Sequence, residues 1–325
     1  MKITVIGAGA IGGWLAARLA NVPGVQMSAI ARGATLEALR AQGITLVSEG
    51  HTSQAACNAV SNAQQLGVQD LVIISVKAPA LRGVAAQLGP LLGIDTIVLS
   101  AMNGVPWWFL QGFGGALANR ALHSVDADGA IARMVPAQHI IGCVVHASCS
   151  TSAPGVVQHH FGNGLIMGEP SGEKTARVQK LVALFQQAGF AATLSEQIQK
   201  DIWYKLWGNM TMNPISAITG ATTDKIMDDD LVRGFIASVM LEAKEIGARI
   251  GIPIDQQPED RFAVTRKLGA FKTSMLQDVE AGKPVELNAL VTAVRELGNM
   301  AGVATPHTNA LLGIARLHAQ GLGLY

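Results

Sequence analysis

At 325 residues, 49% of them hydrophobic and only 14% charged, the chain is long enough for two domains and apolar enough to bury a large core. A net charge of +1 provides no basic face for nucleic acid or a membrane surface, so the expected partner is a small molecule. Cys57, Cys143 and Cys149 lack metal-ligand or Cys-x-x-Cys spacing, which argues against a disulfide framework and for buried thiols in a reducing, cytoplasmic compartment.

Lys2 to Ile6 is a short β-branched run, followed by Gly7-Ala8-Gly9-Ala10-Ile11-Gly12-Gly13 and the helix-forming Trp14 to Ala20. The opening superficially resembles a secretory signal, but the glycines interrupt its apolar run, and no stretch reaches the roughly 18 apolar residues of a membrane span. Strand, glycine turn and helix fit the dinucleotide fingerprint better. Gly7 allows a tight turn, Gly9 lets the backbone approach a pyrophosphate, and Gly12 lets helix pack against strand. The N–H groups and dipole of that helix would meet the phosphates.

A second strand, Gln26 to Ile30, leads to Arg32, twenty residues after Gly12, where NAD enzymes commonly carry an acid for the ribose hydroxyls. An arginine there suits the 2′-phosphate of NADP, because its planar fork makes paired charge-assisted hydrogen bonds. The alternative is a surface arginine beside Gly33. Ile44 to Val47 is a further short strand. Asp70 to Val76 and Asp95 to Ser100 are continuous apolar runs of the kind buried in a parallel sheet. Lys77 and Asn103-Gly104 follow them, where a binding crevice lies in such folds. Lys77 is placed for a cofactor phosphate or ribose, or is only solvated. Asn103 is placed to touch cofactor and substrate, or is a turn residue.

Ala121 to Val125, Ile140 to Ser148, Gly155 to His160 and Gly164 to Gly168 read as strands. The adjacent His159 and His160 would point to opposite faces of an extended strand, so no shared metal ion is expected. The composition break Glu169-Pro-Ser-Gly172 marks a domain boundary, giving domains 1–170 and 171–325. Beyond it Glu173 to Gly189 is helical in period and Ala191 to Leu194 is a short strand. Glu196 opens a long helix, and Asp228 to Gly251, Pro258 to Phe271, Glu286 to Gly302 and Pro306 to Gln320 follow as helices with apolar stripes.

Within the long helix, Lys205, Asn209 and Asn213 recur at i, i+4 and i+8, which stacks one cation and two amides along one face. Such a row can hold a small polar molecule and offer it a proton, or it is a solvated face. A nucleotide domain followed by a helical one would place a crevice between them, as hydride transfer requires.

Taken together, Gly7-Ala-Gly9-Ala-Ile-Gly12, Arg32, Ser75-Val-Lys77-Ala, Asn103-Gly104, Pro154-Gly-Val, Gly168-Glu-Pro, Lys205-Leu-x-x-Asn209-x-x-x-Asn213-Pro, and Ser274-Met-Leu-Gln-Asp278 followed by Glu286 resemble the ketopantoate reductases (2-dehydropantoate 2-reductases) nearly end to end. The resemblance implies an α/β architecture: an N-terminal Rossmann-type dinucleotide-binding domain followed by an all-helical C-terminal domain of the 6-phosphogluconate dehydrogenase C-terminal-like kind. It implies NADPH as cofactor and a 2-oxo acid as substrate, reduced to pantoate on the way to pantothenate and coenzyme A. It further implies catalytic roles for Lys205 as general acid and Glu286 as its acidic partner. Asn103, Asn209, Asn213 and Ser274 become substrate contacts, with Ser274 facing the carboxylate, and Gly7 to Gly12, Arg32, Lys77 and Asn103 become cofactor contacts.

Spacing alone leaves Glu286 readable as a first-turn helix acid and Ser274 as an N-cap. Met102, Trp107, Trp108 and Asn288 depart from the family pattern and are where altered specificity would be sought. The helices beyond Asp228 could supply a homodimer interface.

Overall fold

The computed structural model describes all 325 residues and divides into two compact units: residues 1–102 with 130–198, and residues 103–129 with 199–325. The first unit holds a 10-stranded sheet. Its strands are β1 (Lys2–Ile6), β2 (Gln26–Ile30), β3 (Ile44–Ser48), β4 (His51–Ala55), β5 (Asn58–Val60), β6 (Leu71–Ile74), β7 (Ile97–Ser100), β8 (Ile140–Ala153), β9 (Val156–Gly168) and β10 (Ala191–Leu194). Helices α1 (Ala10–Leu19), α2 (Gly33–Gln42), α3 (Leu81–Ala85), α4 (Ala130–Met134) and α5 (Ala176–Gln187) accompany it.

Strand order is β4-β3-β9-β8-β7-β6-β1-β2-β5, with β10 beside β9. The central strands β7, β6, β1, β2 and β5 run parallel, with Ile3 to Ile6 opposite Leu71 to Ile74 and Lys2 to Ile6 opposite Gln26 to Ile30. Both faces of such a sheet are covered, so β6 is buried at every position. The chain reverses direction of winding at β1, whose neighbours are β2 and β6. The glycine turn leaves its carboxyl end, which is where open α/β sheets bind ligands.

Two sequence expectations change here. The two strands read over Gly155–His160 and Gly164–Gly168 are a single 13-residue strand, β9. It stays continuous because its two halves find different partners: Val156 to His159 pair with β3, and Gly164 to Met167 pair with β10. Second, Ala121 to Val125 forms no strand. The carboxylate of Glu296 accepts from the backbone N–H groups of His123 and Ser124, both at 2.8 Å.

Around the boundary read at 170/171, the two compact units divide later in the chain. Glu169 is 4% exposed and paired with Arg177 of α5 at 2.5 Å, and β10 joins the sheet, so the chain stays in the first unit to Ile198. Residues 103–129 belong to the helical unit.

The second unit is built of helices: α6 (Ile198–Thr219), α7 (Thr223–Asp228), α8 (Asp230–Arg249), α9 (Pro258–Arg266), α10 (Ser274–Glu280), α11 (Ala293–Ala301) and α12 (Pro306–Gly321), with a π-helical turn over Asn288–Thr292 ahead of α11. Trp203, Trp207, Val239, Met240, Leu290, Leu297 and Leu311 are all buried in it. No helix in either unit is long and apolar enough to cross a membrane.

Candidate active site

In the first unit, the glycine turn is held from below. Gly7 sits at φ +91°, a region open to glycine, and its carbonyl accepts from the Ser75 hydroxyl at 2.9 Å. A Cβ on Gly12 would collide with the Gly7 carbonyl and the Ser75 Oγ, so only glycine lets α1 start this close to β1 and β6. Gly9, by contrast, is exposed and faces open space with nothing within 4 Å of where its Cβ would be. It is the N-cap of α1, no side chain caps that helix, and no acid stands in its first turn. The leading N–H groups of Ala10, Ile11 and Gly12 therefore face an uncrowded, acid-free opening, which fits a pyrophosphate. Ala8 and Ile11 flank the opening, partly buried.

Arg32 is exposed and caps α2 directly after β2, with its backbone extended (φ −137°). Lys77 is exposed after β6, at the start of a short 3-10 turn. His159 is not a ligand candidate: it stacks on Trp14 at 5.3 Å and bonds the Ser48 hydroxyl at 2.8 Å, while His160 bonds Ser150 at 2.8 Å. Burial pushes the Cys57 and Cys149 thiols up to about 12, the ionised form being penalised away from water.

The second unit gathers the remaining candidates. Rotation of α6 is fixed from behind, where the Trp203 indole donates to the Ala243 carbonyl at 3.2 Å and the Trp207 indole to that of Met240 at 2.7 Å. Gly247 leaves room for this, since a Cβ there would stand 2.6 Å from Trp203 Nε1. At 3.6 residues per turn, docking Trp203 and Trp207 on α8 turns Lys205, Asn209 and Asn213 to the opposite face. Pro214 follows within the helix and withholds the N–H that would bond the Met210 carbonyl.

Lys205 Nζ donates to Asn103 Oδ1 at 2.8 Å, so two residues 102 apart in sequence meet. Asn103 is held in place by its neighbours. Gly104 adopts φ +80°, a Cβ there would lie 2.6 Å from the Ala289 carbonyl, and Val105 N–H donates to that carbonyl at 2.9 Å. Ala289 lies in the π-helical turn that begins two residues after Glu286, whose side chain is only 4% exposed. A π turn widens the helix and commonly marks functional positions.

On the far side, Asn213 Nδ2 donates to Ser274 Oγ at 3.4 Å. Ser274 is not the cap of α10: Thr273 is, accepting from Leu276 N–H at 3.3 Å, which leaves the Ser274 hydroxyl toward Asn213. Asn209 lies partly buried between Lys205 and Asn213 along the row. Trp107 and Trp108 are buried packing residues, 5% and 1% exposed. Asn288 is exposed and accepts from Tyr325 at 2.5 Å and Thr292 at 3.2 Å.

One residue escapes the sequence reading. The Arg261 guanidinium of α9 lies over the Tyr204 ring at 5.3 Å and fills the space that a Cβ on Gly208 would occupy, 2.7 Å from its Nε. The available signal is Gly208 itself, because glycine inside a helix costs about 1 kcal/mol against alanine and stands there for a close approach.

This arrangement can anchor oxygen-rich small molecules, donate a proton from one ammonium, and accept a hydrogen bond at one buried carboxylate. Residues 3–172 match the family described as Ketopantoate reductase PanE/ApbA, and residues 197–319 match the Ketopantoate reductase PanE/ApbA C-terminal family. A 2-dehydropantoate 2-reductase of Mesorhizobium japonicum is 43% identical over 325 residues, covering 100% of both chains. A solved chain from Ralstonia solanacearum MolK2, ascribed to the ketopantoate reductases, is 54% identical with TM-score 0.94 over 99% of each chain. D-Mandelate dehydrogenase, solved with NADH and anilino(oxo)acetate, shares the fold at TM-score 0.84 and 22% identity over 100% of each chain. A glycine turn at the head of α1 and a lysine row joined by Asn103 and Ser274 thus accompany matches along nearly the whole sequence, and the chain belongs to the ketopantoate reductase family.

Proposed function

We propose that the chain reduces 2-dehydropantoate to pantoate with NADPH, a step toward pantothenate and coenzyme A. The observation that carries this reading is the 2.8 Å bond from Lys205 Nζ to Asn103 Oδ1, which fixes one ammonium in the row that Asn209 and Asn213 continue. The 43% identical 2-dehydropantoate 2-reductase supports the same reading.

The cofactor residues fit their role on the same grounds as the turn: Gly7 to Gly12 receive the pyrophosphate, Lys77 a phosphate or ribose, and Arg32 the 2′-phosphate. NADPH, when bound, supplies the hydride for the ketone carbon. The chain's own task is the oxygen. As the carbonyl becomes an alkoxide, Lys205 stabilises the growing negative charge and then gives it a proton. Asn103 keeps the ammonium aimed. Glu286 accepts a hydrogen bond from a substrate hydroxyl and helps orient the lysine, while Asn209, Asn213 and Ser274 hold the substrate's oxygens. Each hydrogen bond in a partly buried site also leaves a polar group unpaired when the wrong substrate enters, which favours oxygen-rich 2-oxo acids over simple ketones.

The test is NADPH oxidation followed at 340 nm against a panel of 2-oxo acids. Preferred turnover of 2-dehydropantoate is the expected result. Preference for a bulkier branched acid would move the assignment to a sister reductase, and NADPH binding without turnover of any acid would make the chain a nucleotide sensor.

A further inference from the structure

Asn288 and the chain beyond α12 have no use in the chemistry above, yet together they bracket Glu286. Helix α12 ends in a Schellman turn. Gly323 lies at φ +70°, a region open to glycine, its N–H donates to the Gln320 carbonyl at 3.0 Å, and the Leu324 N–H donates back to that of Ala319 at 2.8 Å. Leu324 is buried there. The reversal brings the next groups to the segment that carries Glu286: the Leu324 carbonyl accepts from the Val285 N–H at 3.1 Å, and the Tyr325 hydroxyl donates to Asn288 Oδ1 at 2.5 Å.

Glu286 stands in a non-helical connector, residues 283–286, so no helix fixes the backbone ahead of it. One bond from the reversed chain ties the residue before Glu286, and the other ties Asn288, where the π-helical turn begins. The Thr292 hydroxyl donates to the same Asn288 oxygen at 3.2 Å, and its two lone pairs can take both donors. A carboxylate follows its backbone, so a hold on both sides of Glu286 sets where its oxygens lie. We propose that residues 322–325 form a positioning clasp, received by Asn288, that keeps the Glu286 carboxylate aimed at the substrate hydroxyl. This assignment rests on the reductase reading given above.

Two measurements test it. Steady-state kinetics with NADPH compare 2-dehydropantoate with 3,3-dimethyl-2-oxobutanoate, the same acid without its hydroxyl. Tyr325→Phe lowers the ratio of kcat/KM for the first acid over the second roughly 2–10-fold, the range for one net hydrogen bond. A chain stopped after Gly323 also lacks the Leu324 carbonyl and lowers the ratio further. Asn288→Leu lowers it as Tyr325→Phe does, the two together cost no more than either alone, and Asn288→Asp, whose carboxylate still accepts from the phenol, keeps it. A general defect of folding would instead lower turnover of both acids alike.

Amide hydrogen exchange at Val285 gives the second readout, independent of turnover, and is faster in the chain stopped after Gly323 than in the wild type. An unchanged acid ratio in both Tyr325→Phe and the shortened chain would overturn the clasp and leave the reductase reading intact. Equal wild-type use of the two acids would do the same, because Glu286 would then not read the hydroxyl. Absence of wild-type turnover with every 2-oxo acid would remove the reductase reading instead, and Val285 would still decide the clasp: faster exchange in the shortened chain supports it, and an equal rate ends it.

Discussion

The turn from Gly7 to Gly12 in the first unit offers backbone N–H groups and almost no side chain, whereas the row from Lys205 to Asn213 in the second offers side chains on a helix whose backbone groups bond one another. The turn depends on what is missing: a Cβ at Gly12 has nowhere to go, and none crowds Gly9. The row depends on what is added behind it. Two indole hydrogen bonds to α8 fix its rotation, and a loop docked on Ala289 brings Asn103 to Lys205. Phosphate recognition can be built locally from one stretch of chain. The row instead draws its partners from distant segments, Asn103 ahead of α6 and Ser274 on α10.

The largest way to separate the two is Lys205→Ala. It removes the ammonium and touches no part of the glycine turn. We expect kcat to fall about 10²–10⁴-fold, roughly 3–5 kcal/mol of barrier, with NADPH affinity unchanged. Steady-state kinetics together with a fluorescence titration by NADPH measure both, and normal turnover by this variant would take proton donation away from the row.

Gly12→Ala attacks the other half. The new methyl meets a backbone carbonyl and the Ser75 hydroxyl, and the carbonyl cannot swing aside as the end of a long side chain would. Overpacking of this kind costs about 1–3 kcal/mol, visible in urea unfolding, and NADPH affinity falls with it. Pantoate binding measured without cofactor stays as in the wild type. If NADPH bound the variant as tightly as before, the turn would not be the pyrophosphate site.

Legibility in the sequence followed the same division. The glycine turn, β1, β2 and the buried strand β6 are written in contiguous residues, so period and composition suffice to find them. Lys205, Asn209 and Asn213 are likewise visible as a spacing. What joins them is not, because Asn103 and Lys205 meet only after 102 intervening residues have folded. The same lack of local information explains Ala121 to Val125, an apolar stretch whose backbone is satisfied by the distant carboxylate of Glu296. The turn-rich Glu169-Pro-Ser-Gly172 likewise carries no mark of Glu169's ion pair with Arg177. Arg261 is invisible from its own neighbours and is betrayed only by the glycine that makes room for it.

A smaller change sharpens the first unit further. Arg32 is exposed at the start of α2, so its bond to a 2′-phosphate competes with water and salt. Arg32→Ala is expected to reduce the ratio of NADPH to NADH affinity about tenfold, toward the low end for charge-assisted hydrogen bonds, with kcat at saturating NADPH little changed. Repeating the titration at high salt should shrink the difference. An unaltered ratio would leave the cofactor preference to other groups.

The smallest expected effect concerns thiols, which lie outside both the turn and the row. Burial raises Cys57 and Cys149 to about 12, so at pH 8 only about one molecule in 10⁴ carries either thiolate, the form that reacts. Iodoacetamide at that pH is expected to leave both the mass of the folded protein at these positions and its turnover unchanged. Labelling should then rise about tenfold per pH unit while the fold persists. The same shift works against stability in alkali: the unfolded thiols ionise near 9 and the folded ones do not, so their contribution is intact below about pH 9 and is lost as the pH climbs toward 12. Rapid alkylation of either cysteine in folded protein at pH 8, seen by peptide mass analysis, would mean that its surroundings open to water far more often than this packing allows.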